Sequence, residues 1–147
     1  MISGRTLAIV VAVLAAVLTL VFWPKKAASA EDQIRALVAR CVRSAEDKDL
    51  SVIADAMAPE FQGPRGASRD EVKGTIAFQV LRGGEATTVF NPSLSVTVLS
   101  PTSGEFTGKF VFARGKDGAA MSAYQIDAKV EKRDGKWLFV SATYREL

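Results

Sequence analysis

Along this chain the spacing of hydrophobic residues changes once, near Thr87. Before that point apolar positions recur every three to four residues. Ile34, Leu37, Val38, Cys41, Val42 and Ala45 predict an amphipathic helix over Glu31–Lys48, with acidic Glu31 and Asp32 at its positive end. Leu50, Ile53 and Met57 predict a second, shorter helix over Asp49–Met57, stopped by Pro59. In "GPRGASRDEV" Ser68 and Glu71 have the spacing of a capping box, which opens a third helix carrying Val72, Ile76, Val80 and Leu81, with Gly83-Gly84 as its stop.

After Thr87 the period is two. Leu94, Val96 and Val98 form one alternating set. Phe106, Gly108, Phe110 and Phe112 form the next, then Tyr124, Ile126, Ala128 and Val130. Asp134-Gly135 predicts a tight hairpin into a last strand, "KWLFVSATY". Asn91-Pro92, Ser100-Pro101 and Lys116-Asp117-Gly118 mark the other turns. The class is α+β: three N-terminal helices packed on one face of an antiparallel sheet of four or five strands.

Ahead of this domain, residues 7–23 are 17 uncharged residues, between a short tail (1–6) and a linker (24–30). At about 1.5 Å per residue the run is just long enough for a bilayer core. Trp23 stands where an interfacial aromatic belongs, followed by Lys25 and Lys26. Two readings stay open: an uncleaved anchor holding the domain at a cell membrane, and a secretory signal cut after Ala30 in Ala28-Ser29-Ala30. Arg5 and the amino terminus balance Lys25 and Lys26, so charge does not orient the span. A short tail that stays inside predicts an extracytoplasmic domain, periplasmic or exported.

Composition narrows the chemistry. The chain has 19 basic and 16 acidic residues, but Arg5, Lys25 and Lys26 account for the excess, leaving 31–147 formally neutral. No basic stripe with interleaved aromatics follows, which argues against nucleic acid as a partner. The chain has no histidine, so Ser-His and Cys-His pairs, imidazole acid/base chemistry and His-based zinc sites are excluded. The sequence suggests no metal, cofactor or catalytic residue. Cys41 sits on the apolar stripe of the first helix and reads as core.

The "GPRGASRDEV" stretch matches neither a dinucleotide-binding loop nor a P-loop, and Ser68 and Glu71 occupy the amides an anion would need. It reads as a turn and a cap. On the strands, Glu105, Asp127 and Glu131 count to the face opposite the aromatic residues. Asp55 and Glu60 are the remaining acids within reach of a pocket mouth. With a two-residue turn at Asp134-Gly135, Lys129 pairs with Val140. Leu138, Val140, Ala142 and Tyr144 then share the outer face with Leu99 and Val111, an apolar patch suited to a partner. A bulge would shift that register.

The element order, the helix pair ending in "LSVIADAMAPEF", the "GPRGASRDEV" entry and the closing "KVEKRDGKWLFVSATY" resemble the nuclear transport factor 2-like superfamily over residues 31–147. That superfamily includes SnoaL-like cyclases and ketosteroid isomerase. The resemblance implies a cone with a curved antiparallel sheet, lined here by Phe61, Phe106, Phe110, Tyr124 and Trp137 and able to hold a small apolar ligand. It also implies a homodimer through Leu99, Val111, Leu138, Val140 and Tyr144. With a membrane segment in front, the architecture resembles inner-membrane assembly subunits of type IV secretion systems, which implies an envelope protein as an alternative partner. The expected role is a membrane-tethered, non-catalytic binding or assembly domain. The alternative is a small-molecule isomerase, cyclase or dehydratase using a carboxylate and Tyr124.

Overall fold

The computed structural model describes residues 4–22, 28–81, 87–115 and 120–147, with side chains at 20–22 and 79–81 outside that description. Trp23, Lys25, Lys26, Gly83-Gly84 and Lys116-Asp117-Gly118 therefore lie outside it, as do the side chains of Val80 and Leu81.

Helix α1 covers Gly4–Phe22, and every described side chain on it is exposed, Leu7, Ile9 and Val11 among them. Among the described residues no helix is long and apolar enough to cross a membrane. The described side chains of α1 end at Thr19, while the uncharged run continues to Trp23.

Helix α2 (Ala30–Glu46) starts on Ser29, whose Oγ accepts the Asp32 amide at 3.1 Å. It buries Ile34, Leu37, Val38, Ser44 and Ala45, the face its periodicity predicts. Helix α3 is shorter than expected, Ser51–Asp55, because the chain becomes extended at Met57. Pro59 does not end a helix. It lies inside strand β1 (Met57–Gln62), an element the helical reading missed.

A 3-10 turn at Pro64–Gly66, with Arg65 and Gly66 at positive φ (57° and 77°), leads to α4 (Arg69–Leu81). The capping box forms as the sequence predicts. The Glu71 amide donates to Ser68 Oγ at 3.2 Å, and the Ser68 amide donates to Glu71 Oε2 at 2.8 Å. Arg69 Nη2 donates to the Ala54 carbonyl at 2.8 Å, tying the entry of α4 to the end of α3. The "GPRGASRDEV" stretch is thus a turn and a helix cap.

Strands β2 (Thr87–Ser100), β3 (Ser103–Arg114), β4 (Ala120–Arg133) and β5 (Lys136–Glu146) follow as an antiparallel meander. The sheet order is β1-β5-β4-β3-β2, with β1 parallel to β5, so the sheet is mixed rather than purely antiparallel. Pro59 and Pro92 both fall on its edge strands, where a missing N–H costs no ladder bond. Asp134 and Gly135 both take positive φ (49° and 76°), the geometry of the predicted hairpin turn.

The core lies between α2, α4 and the concave face of the sheet. Ile34 is fully buried over Gly104, where a Cβ would come within 2.8 Å of Ile34 Cδ1. Glycine at 104 lets the helix approach that closely.

Candidate functional site

Concave-facing positions on β3 and β4 build a cavity of about 280 Å³ under the helices. Its floor holds Phe106, Phe110, Ala128 and Phe139, each at most 8 % exposed. Val38, Cys41 and Ala45 of α2 form one wall, and Val72 and Ile76 of α4 another. Exposure rises along the strands toward Tyr144, which is 45 % exposed and marks the open end with Thr75 and Arg114.

Aromatic rings hold one another edge-to-face along this path. Phe106 meets Phe139 at 6.0 Å, Phe112 meets Tyr124 at 5.9 Å, and Tyr124 meets Tyr144 at 6.2 Å. Such pairs add roughly 0.5–1.5 kcal/mol each beyond their burial and restrict ring motion.

Of the five expected lining residues, Phe61, Phe106, Phe110 and Tyr124 face the cavity. Trp137 does not. It is buried beside the start of α2, where Nε1 donates to Gln33 Oε1 at 2.8 Å, an oxygen that also accepts from Lys132 Nζ at 3.2 Å. Its indole N–H is satisfied in the core, away from the cavity.

Tyr144 moves the other way. A bulge between Lys129 and Val130 breaks the β4–β5 register: Val130 pairs with Phe139, but Lys129 pairs with Ser141 instead of Val140. One extra residue on β5 reverses the facing of all that follows. Ala142 and Tyr144 therefore point into the cavity, opposite Ala128 and Ile126. Ser141, Thr143 and Arg145 take the convex positions, paired with Lys129, Asp127 and Gln125. Of the expected dimer face, Val111, Leu138 and Val140 remain half-buried and Leu99 is 61 % exposed. The convex centre is polar. Thr107 Oγ1 donates to Asp127 Oδ1 at 2.6 Å, and Arg145 Nη2 donates to Gln125 Oε1 at 2.8 Å.

Among the described residues the lining contains no carboxylate. Asp55 is exposed at the end of α3 and does not line the cavity. Glu60 is also outside, paired with Arg133, which pairs with Glu131 at 2.7 Å as well. The hydrogen bond from Arg133 holds the Glu60 carboxyl below its ordinary value, opposite to what a general base in an apolar site requires. Burial pushes the Cys41 thiol up to about 11, against a smaller opposing effect of the Arg40 charge, so at neutral pH it is a protonated wall residue.

Arg114 and Thr75 are lining residues that sequence reasoning missed. Arg114 carried a signal: it is two positions beyond Phe112 in the same alternating set.

No family model matches the chain, and no curated protein matches its sequence. Solved structures share the fold. A nuclear transport factor 2-like protein of unknown function from Pseudomonas putida is 14 % identical, with 78 % of this chain and 84 % of that one covered and a TM-score of 0.67. A candidate scytalone dehydratase from Novosphingobium aromaticivorans is 18 % identical over 78 % and 82 % of the two chains, with a TM-score of 0.66. A candidate calcium/calmodulin-dependent protein kinase II association domain from Xanthomonas campestris is 21 % identical over 84 % and 94 %, with a TM-score of 0.65. The domain therefore has the nuclear transport factor 2-like, cystatin-like cone fold. These neighbours span an enzyme and an association module, so the fold leaves the role to the site.

Proposed function

We propose that this chain is a membrane-tethered binding domain that holds a small apolar molecule in its cone without transforming it. The cavity lining is the observation that carries this reading: aromatic and aliphatic walls, with no described carboxylate. A SnoaL-like isomerase, cyclase or dehydratase would need a base facing that interior. The described lining offers hydroxyls and one guanidinium instead.

The tether rests on α1, an apolar helix with its described side chains all exposed. We read its short N-terminal end as cytoplasmic and the domain as extracytoplasmic. Retention is favoured over cleavage after Ala30 by the way α2 begins. Ser29 caps the helix, and Gln33 Nε2 donates to the Ala28 carbonyl at 2.9 Å. Cleavage would remove both contacts, and a lost cap alone costs about 0.5–2 kcal/mol. A homodimer through Leu99, Val111, Leu138 and Val140 of the convex face, without Tyr144, completes the reading. An envelope protein on that face is the alternative.

Native mass spectrometry of the full chain, extracted from its membranes in mild detergent, tests the reading. A retained small molecule on an intact, uncleaved chain is expected. A chain that is recovered soluble from Glu31 onward has no tether. A cavity that arrives empty and takes up no apolar probe refutes the binding role.

A further inference from the structure

We infer that the bound molecule carries one neutral oxygen, a hydroxyl or a carbonyl, hydrogen-bonded to the Thr87 hydroxyl. This inference rests on the binding role proposed above and adds the polar chemistry of the ligand.

Among the described residues two polar side chains are buried, Ser44 and Thr87, and they are placed differently. Ser44 Oγ donates to the Asp49 carbonyl and closes the turn after α2. Thr87 is 7 % exposed and lines the cavity, and no hydrogen bond joins its Oγ1 to any described group. A buried hydroxyl without a partner is destabilising. Valine has the same shape and suits a strand at least as well. The wall uses it two positions on, at Val89 on the same face. Folding alone therefore gives no reason for a hydroxyl at this position, whereas a ligand oxygen does.

Thr87 begins β2 and lies opposite Arg114 at the open end of the cavity, while Phe106, at its depth, lies opposite Val96. A molecule with its oxygen at Thr87 runs its apolar body inward past Val89 and Phe112. A hydroxyl both donates and accepts, so it serves an alcohol or a ketone equally. It brings no charge, and Arg114 already has an interaction within the protein. An ionised group set against Val89 and Phe112 would lose its water in exchange for one neutral hydrogen bond, which selects against it. The cavity's 280 Å³ is roughly twice the ~150 Å³ that accommodates benzene, which suits an apolar body of about ten carbon atoms.

The test uses the full chain in mild detergent and three probes that share one ring system. They are 2-naphthol, 2-methylnaphthalene, in which a methyl replaces the hydroxyl, and 2-naphthoate. Affinities are measured against the free aqueous probe. Wild type and Thr87→Val with the two neutral probes form a double-mutant cycle. Thr87→Val should weaken 2-naphthol about fivefold and leave 2-methylnaphthalene within about twofold, which also shows that the variant is folded. Tyr124→Phe, which removes another hydroxyl of the lining, should leave the preference for 2-naphthol over 2-methylnaphthalene in place. Wild type should bind 2-naphthol more tightly than 2-naphthoate. If Thr87→Val changes both neutral probes alike, or if Tyr124→Phe erases the preference instead, the oxygen is not held at Thr87. If 2-naphthoate binds more tightly, the ligand is not neutral. Each of these results overturns the inference while the binding cone stands. If no probe binds, the cone itself is not a ligand site and both readings fall.

Discussion

The two faces of strand β3 differ in almost every respect although their residues alternate along one backbone. Phe106 and Phe110 turn inward and are each 5 % exposed, while Thr107 and Lys109 beside them stand in solvent. Inward, the strand supplies rings that pack edge-to-face and end at a cation. Outward, it supplies polar side chains, among them Thr107, whose hydroxyl donates across to Asp127 on β4. A period of two thus does more than mark a strand: it separates a hydrophobic chamber from a surface that tolerates water.

The sharpest way to break this contrast is to truncate adjacent residues. Phe106→Ala should cost about 3–5 kcal/mol through lost burial and an enlarged cavity. Thr107→Ala should stay within about 1 kcal/mol, because its hydrogen bond is exposed. Denaturant midpoints of the full chain in non-denaturing detergent measure both, and similar losses would mean the faces are not distinct. Next in size is the thiol on the chamber wall. With its pKa pushed from 9.0 to about 11, Cys41 should alkylate roughly 100-fold more slowly at pH 8 in the folded chain than after unfolding. Equal rates would place the sulfur in water.

The smallest effect belongs to the exposed pair of Glu60 and Arg133. The folded Glu60 carboxyl lies below its unfolded value. Its contribution is therefore present above roughly pH 4.3, the unfolded pKa, and is lost as pH falls through the folded one. Wild type and Glu60→Gln should differ slightly in stability at pH 7 and converge under acid. A gap that persists at low pH would show that the charge is not its source.

What the sequence disclosed was whatever its local chemistry decided. The Ser68–Glu71 cap and the Asp134-Gly135 turn each need only a few neighbouring residues, and both formed as read. The helix face from Ile34 to Ala45 and the inward aromatics of β3 follow from simple periods. Two features depend on distant partners and stayed hidden. Met57–Gln62 has no clean alternation and becomes a strand only because β5, more than 70 positions later, lies parallel beside it. The β4–β5 bulge leaves no trace in composition, yet it exchanged Tyr144 for Ser141 and Thr143 on the convex face. Part of the chamber wall was legible, whereas its mouth depended on that one inserted residue.

The placement of Pro59 and Pro92 governs how this domain can meet others. Each outer strand of the sheet is interrupted by a residue that cannot donate to an added strand. Fibre-like growth, in which one molecule's margin templates the next, loses a donor at each margin and is disfavoured there. Self-association of this domain is thereby steered away from its sheet margins and toward broad-face contact.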